Sequence, residues 1–260
     1  MSLLTWIIVF SLLGGVLSVL VASSFLLFSE GVRKRLVPHL VSFAIGSLLG
    51  AAFLGLLPHA LTGQGVEDFH KIFLAVLLGL LGFFLLEKLV LWRHCHSDHC
   101  EAHASHDHEK SSEATGWMIL IGDGMHNLVD GVLIAAAFMT DIHLGIVTAI
   151  AIAAHEIPQE VGNFVVLLHS GFSRGKALLY NVLASLTTIV GALLAYWSLA
   201  DLQGVLPYVL AVAASSFIYI AVADLIPGLH KRAEASETLQ QMVLIAAGVS
   251  LIYVTHSTLH

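Results

Sequence analysis

Apolar residues run along this chain in long blocks, broken by short polar stretches. The blocks fall at roughly Leu4–Phe28, His39–Leu61, Ile72–Trp92, Gly116–Thr140, Leu144–His169, Lys176–Ala200, Val205–His230 and Leu239–His256. Each is close to the ~20 residues that a helix needs to cross the hydrocarbon core. Backbone inside lipid must satisfy its own hydrogen bonds, so such blocks are helices or the strands of a closed barrel. These runs lack the in–out alternation of barrel strands, which leaves the helix. The pattern predicts an all-α integral membrane protein with eight transmembrane helices, in contact with the lipid bilayer.

Composition sharpens that picture. Of 260 residues, 57% are hydrophobic and 11% charged. A soluble domain of this size carries about twice that share of charge. The eleven Lys and Arg are scattered in short groups, so no nucleic-acid partner is expected. Only two cysteines occur, Cys95 and Cys100, which implies no disulfide framework. The first block has no basic residue before it and runs too long for a cleaved signal, so it reads as a retained helix. The expected organisation is one eight-helix domain over residues 1–260, with a flexible loop at 93–115 inside it.

Charge placement gives an orientation. Arg33, Lys34, Arg35, Lys88, Arg93, Lys110, Arg174, Lys176, Lys231 and Arg232 flank odd-numbered loops, and only Lys71 lies on the other side. Basic residues favour the cytoplasmic side. Both termini are therefore expected to be extracytoplasmic, and the third loop cytoplasmic. Short exterior loops fit a bacterial inner membrane.

Polar residues interrupt two of the blocks. In the fourth, Asp123, His126, Asn127 and Asp130 share one helical stripe by their spacing. In the fifth, His155 pairs with Gln159, and Glu156 with Glu160, at four-residue spacing, and Asn163 extends the second pair. An ionisable group at mid-membrane costs about 2.5–3.5 kcal/mol on insertion scales. Four such acids need compensation, and a bound divalent cation supplies it. Imidazole nitrogen and carboxylate oxygen on two facing helices can hold one ion. Pro158 adds a kink and frees the Ala154 carbonyl. A plainer reading gives Asn127, Asn163 and Asp123 interhelical hydrogen bonds only.

The third loop, RHCHSDHCEAHASHDHEK, holds His94, His96, His99, His103, His106 and His108. It lacks fixed zinc-finger spacing, so it reads as a flexible collector of metal rather than a folded site.

At these residues the sequence resembles the ZIP (Zrt/Irt-like) family of metal-ion transporters. His126-Asn127-Leu128-Val129-Asp130-Gly131 matches an HNxxDG signature, and His155-Glu156-Ile157-Pro158-Gln159-Glu160 resembles the HEIPHE signature of one subfamily. The second block, with Leu57-Pro58-His59, and Ala223–Lys231 look like further landmarks. The resemblance implies Zn²⁺, or Cd²⁺, Fe²⁺ or Mn²⁺, moving into the cytosol. It implies helices 1–3 and 6–8 as inverted repeats around helices 4 and 5, with alternating access by one bundle sliding on another, and it allows a homodimer. Carried over, the metal site takes His126, Asp130, His155 and Gln159, while Asn127 and Glu156 fall at a second site found in some members. Asp123, Glu160 and Asn163 are secondary or gating candidates.

The sequence departs from the family at several positions. Gln159 replaces His or Glu, Thr188 stands where two-metal members have Glu, Ala51 and Gly55 replace Asp and His, and Gly228 replaces Glu. Fewer ligands imply one main transport site. No enzyme activity is expected. An intramembrane zinc metalloprotease is the alternative, because His155-Glu156 begins an H-E-x-x-H pattern, but its last position is Gln159 and Pro158 interrupts it. A metal sensor built on the loop is the third reading, and it leaves the buried stripes unexplained.

Overall fold

The computed structural model describes residues 1–95, 108–230 and 234–259. It contains eight helices long and apolar enough to span a membrane, and no strand among the described residues. They are helix 1 (Leu3–Phe25), helix 2 (Glu30–Thr62), helix 3 (Phe69–Cys95), helix 4 (His108–Thr140), helix 5 (Ile142–His169), helix 6 (Arg174–Leu199), helix 7 (Gln203–His230) and helix 8 (Ala235–Leu259). The all-α membrane architecture expected from the apolar blocks is the one observed.

Helix ends differ from the apolar blocks. Helix 2 starts at Glu30, not near His39, and passes through Pro38. Ser29 enters with extended backbone, and Lys34 meets Glu30 at 2.6 Å one turn on. Arg33, Lys34 and Arg35 therefore ride on the helix rather than in a loop. Apolar runs measure the part of a helix inside lipid, and a helix continues beyond it wherever capping and ion pairs support it. Of the loop histidines, His96, His99, His103 and His106 lie outside the described residues, while His94 and His108 fall in the end turns of helices 3 and 4.

Helices 4 and 5 form a hairpin with almost no loop. Asp141 alone separates them, and its carboxylate accepts from the backbone N–H of His143 (2.8 Å) and Leu144 (3.0 Å). Such an N-cap satisfies donors left free by the first helical turn. The hairpin fixes depth: His126 and His155 sit almost equally far from Asp141, so they share one level. Helix 5 packs on helices 1, 2, 4, 6 and 8 and is the centre of the bundle. Helices 3 and 8 lie at its edge, with Phe73, Leu77, Leu81, Met242 and Val243 facing outward.

Two glycine pairs bring backbones together. A Cβ on Gly131 of helix 4 would stand 1.9 Å from the Thr188 carbonyl oxygen of helix 6, and one on Gly191 would stand 1.9 Å from that of Leu128. Gly46 and Gly248 clasp helices 2 and 8 the same way. Close approach through small residues is the main source of helix association in lipid.

Wide turns mark the paired helices 2 and 7. Each has a π-helical segment, Ala51–Leu56 and Ile220–Leu225, just ahead of Pro58 and Pro227. Proline cannot donate to the carbonyl four residues back and crowds it, and a π turn absorbs the mismatch. Helix 1 has its own π segment at Leu13–Leu17, and helix 6 breaks its regular helix at Leu186. Helices 1–3 thus repeat as helices 6–8: a broken helix, a π-then-proline helix and a peripheral helix. Five places separate the partners, an odd number, so the repeats run in opposite senses across the bundle.

Gly131→Val is expected to lower the thermal midpoint sharply, by at least about 1–3 kcal/mol of overpacking. Gly162→Ala, where nothing lies within 4 Å of the new Cβ, is expected to melt like the parent. Melting of the purified proteins in detergent compares them, and equal midpoints would refute the close-contact account.

Candidate metal site

Four side chains meet between helices 4 and 5 at mid-span. They are His126, Asp130, His155 and Glu156, and one ligand atom of each lies within 4.8 Å of all the others. His126 Nε2 is 3.2 Å from His155 Nε2, 3.3 Å from Glu156 Oε1 and 3.6 Å from Asp130 Oδ2. His155 Nε2 is 3.6 Å from the same Asp130 oxygen and 3.8 Å from the same Glu156 oxygen. A tetrahedron of N and O ligands about zinc, with bonds near 2.0–2.1 Å, has edges of about 3.3 Å. The five separations run from 3.2 to 3.8 Å and so lie around that edge, which makes the cluster close in size to a tetrahedral N₂O₂ set.

The protonation pattern fits the same geometry. His155 Nδ1 lies 3.1 Å from the Ala151 carbonyl oxygen, an acceptor, so Nδ1 carries the hydrogen. Its Nε2 is then left with a lone pair facing the cluster, the arrangement that a second partner imposes on metal-binding histidines. Neither carboxylate oxygen of Asp130 or of Glu156 has a hydrogen-bond partner among the described residues. Both carboxylates are essentially inaccessible, with side-chain exposures of 1% and 0%. Buried polar atoms are nearly always satisfied, and here one oxygen of each carboxylate meets two imidazoles with no other donor, an arrangement suited to a cation.

Access is one-sided. His126 is the one member with substantial exposure, 25%. It lies in the wall of a 530 Å³ cavity between helices 3, 4 and 7, beside Met125, Glu87, Tyr219 and Asp224. The Tyr219 hydroxyl donates to Glu87 within this cavity wall. On the other side of the cluster, Ile134, Phe138, Leu144, Ile152 and Phe217 are packed without exposure or nearly so. The cluster therefore borders a cavity in the third-loop half of the bundle and is covered by apolar packing in the opposite half.

The remaining polar residues go elsewhere. Asn127 is not in the cluster: its Nδ2 donates to the Asp123 carbonyl (3.2 Å), and its Oδ1 accepts from Thr188 Oγ1 (2.8 Å). That amide is consumed in joining helix 4 to helix 6. Glu156, which the family resemblance placed at a second site, stands in the main cluster, and Gln159 stands beside Asp123 instead. A neutral amide finds a better partner in a buried carboxylate than in a crowded pair of imidazoles. Asn163 Nδ2 also donates to Asp123 Oδ1, at 2.8 Å. Glu160 is buried close by. Helix 5 stays helical through Pro158. Thr187, which the sequence reading passed over, donates to the Gly124 carbonyl at 2.6 Å across helices 6 and 4. The adjacent Thr-Thr pair in an apolar helix was the available signal.

An eight-helix bundle with inverted repeats and a polar cage at mid-depth defines a membrane protein built to admit a small cation to its core. The family model "ZIP Zinc transporter" matches residues 92–256, and the chain belongs to that family. It is 32% identical to zinc transporter ZIP13 of Pongo abelii, over 81% of this chain and 64% of that protein. It is 30% identical to ZIP13 of Homo sapiens, over 86% of this chain and 71% of that protein. Human ZIP10 is 36% identical over 52% of this chain, which spans only 17% of that protein. The matched proteins are named as zinc transporters, not as enzymes, which sets the metalloprotease reading aside. They are animal proteins, and they lend no support to the expected bacterial inner membrane.

The Asn127–Thr188 contact yields a stability test. A double-mutant cycle with Asn127→Ala and Thr188→Val is expected to show a coupling of about 0.6–1.7 kcal/mol, measured by unfolding in detergent. A coupling of zero would remove the interhelical role.

Proposed function

We propose that this chain transports Zn²⁺ across a membrane into the cytosol, through the cage of His126, Asp130, His155 and Glu156. The observation that carries the reading is the convergence of four ligand atoms, three of their residues buried, at zinc-like edge lengths in mid-membrane. Two imidazoles and two carboxylates suit zinc, and they also accept Cd²⁺ or Fe²⁺, since ligand type alone does not set selectivity. The cage carries two carboxylates against a divalent ion, so the loaded site is close to neutral and need not trap the ion.

The one-sided cavity supports alternating access. A carrier must expose the same site first to one side and then to the other. Here the cage communicates with the third-loop end and is closed by apolar packing at the other. The glycine contacts join helices 4 and 6, and separately helices 2 and 8, into units that can move as bodies. A shift of the helix 4–5–6 unit against helices 2, 3, 7 and 8 would open the Phe138–Phe217 side and close the cavity.

The basic residues at odd-numbered loops support a cytoplasmic third loop, with both ends of the chain on the opposite face. The open cavity then faces the cytosol, as expected for a carrier that has just released its cargo.

Vesicles carrying the protein are expected to take up zinc, and His126→Ala or His155→Ala to abolish that uptake. Normal uptake by either variant would reject the assignment. Orientation is checked separately: a membrane-impermeant maleimide should label Cys95 and Cys100 only after cells are opened. Labelling on intact cells would reverse the proposed topology.

A further inference from the structure

A second group of acids lies next to the cage, and the cage does not use it. Glu160 of helix 5 is fully buried, and neither of its carboxylate oxygens has a hydrogen-bond partner among the described residues. The acids acting on it electrostatically are Asp123 of helix 4 and Glu156. Asp123 is buried too, and Asn163 donates to its Oδ1. Gln159 stands beside it. Along both helices these residues are one to two turns from the cage, toward the third-loop end where the cavity opens.

Two buried carboxylates at the same level of the helix 4–5 pair, one of them without any hydrogen-bond partner among the described residues, repel each other and have both lost hydration. Interhelical hydrogen bonding and the neighbouring Gln159 amide account for Asn163 and for Asp123. They leave both oxygens of Glu160, which a helix contact does not need. The amides of Gln159 and Asn163 add neutral carbonyl oxygens to the set.

The geometry points to a second cation station formed by Asp123 and Glu160 with the amides of Gln159 and Asn163, receiving the ion from the cage on its way to the third-loop side. It rests on the reading of the cage as a transport site. Glu156 is the link, because it belongs to the cage and also acts on both Asp123 and Glu160. The station offers oxygen only, whereas the cage offers two imidazoles. Oxygen donors favour harder ions such as Mn²⁺, and they hold zinc less tightly than a mixed N/O set. The step from cage to station is therefore from tighter to looser binding, the order that release requires.

The test uses the full chain purified in detergent and loaded with one equivalent of Zn²⁺ to fill the cage. Mn²⁺ is then titrated in, and free Mn²⁺ is followed by its EPR signal. The expected result is one bound Mn²⁺ per chain that Asp123→Asn/Glu160→Gln removes, while the variant still takes up its equivalent of Zn²⁺, showing an intact fold and cage. The single variant Glu160→Gln is expected to weaken the same Mn²⁺ and to slow zinc uptake several-fold. Identical Mn²⁺ binding by parent and double variant would overturn the station, as would no Mn²⁺ binding by the zinc-loaded parent. Failure of the cage itself reads differently: zinc uptake would then survive His126→Ala.

Discussion

Charge that has been taken out of water needs an opposite charge, and this bundle is arranged around that need. Asp130 and Glu156 are sealed between helices, and among the described residues only the imidazoles of His126 and His155 approach their oxygens. Nothing in the apolar walls around them can answer a carboxylate. The proposed divalent ion, held with two imidazoles, would do so and would neutralise both acids at once. The polar residues nearby are placed with respect to that centre: one ring of His155 is fixed by a backbone carbonyl, and one carboxylate of Asp123 is anchored by Asn163.

Holding such a centre demands stiffness in the elements that carry it. Helices 4 and 5 are locked in depth by the single-residue turn at Asp141. Helix 4 is locked to helix 6 by the Gly131–Gly191 contact and, one turn away, by the bonds of Asn127 to Thr188 and Thr187 to Gly124. These contacts surround the cage but do not enter it. Helices 2 and 7 contrast with them, each interrupted by a π turn before a proline. Wide turns are local faults in the hydrogen-bond ladder, and they fall on helices 1, 2 and 7 rather than on helices 4 and 5, which carry the polar cluster.

Much of this was legible in the amino-acid order. Eight spans follow from run length, because the thickness of the hydrocarbon core is a hard constraint. His126, Asp130 and His155 follow from the cost of polar groups in lipid and from helical spacing. The ends of helix 2 were not legible, since Pro38 looks like a boundary, and only the Lys34–Glu30 pair and the Ser29 entry show that the helix starts earlier. The choice of Glu156 over Gln159 was not legible either. Spacing places His155 and Gln159 on one face, but which face turns inward depends on packing against helices 1, 2 and 6. Asn127 was read as a ligand by resemblance, and the neighbouring hydroxyl of Thr188 claims it. Where a two-metal relative has a carboxylate, a threonine needs a partner of its own, and Asn127 supplies it.

That exchange also bears on how an ion leaves. With Asn127 and Thr188 closed on each other, the side of the cage facing helix 6 offers no further ligand. The polar groups that remain unspent, Asp123 and Glu160, lie along the helix 4–5 seam in the direction of the open cavity. On the proposed reading of the cage, an ion moving off it would meet buried oxygen donors along that seam, in the half of the bundle where His126 is exposed.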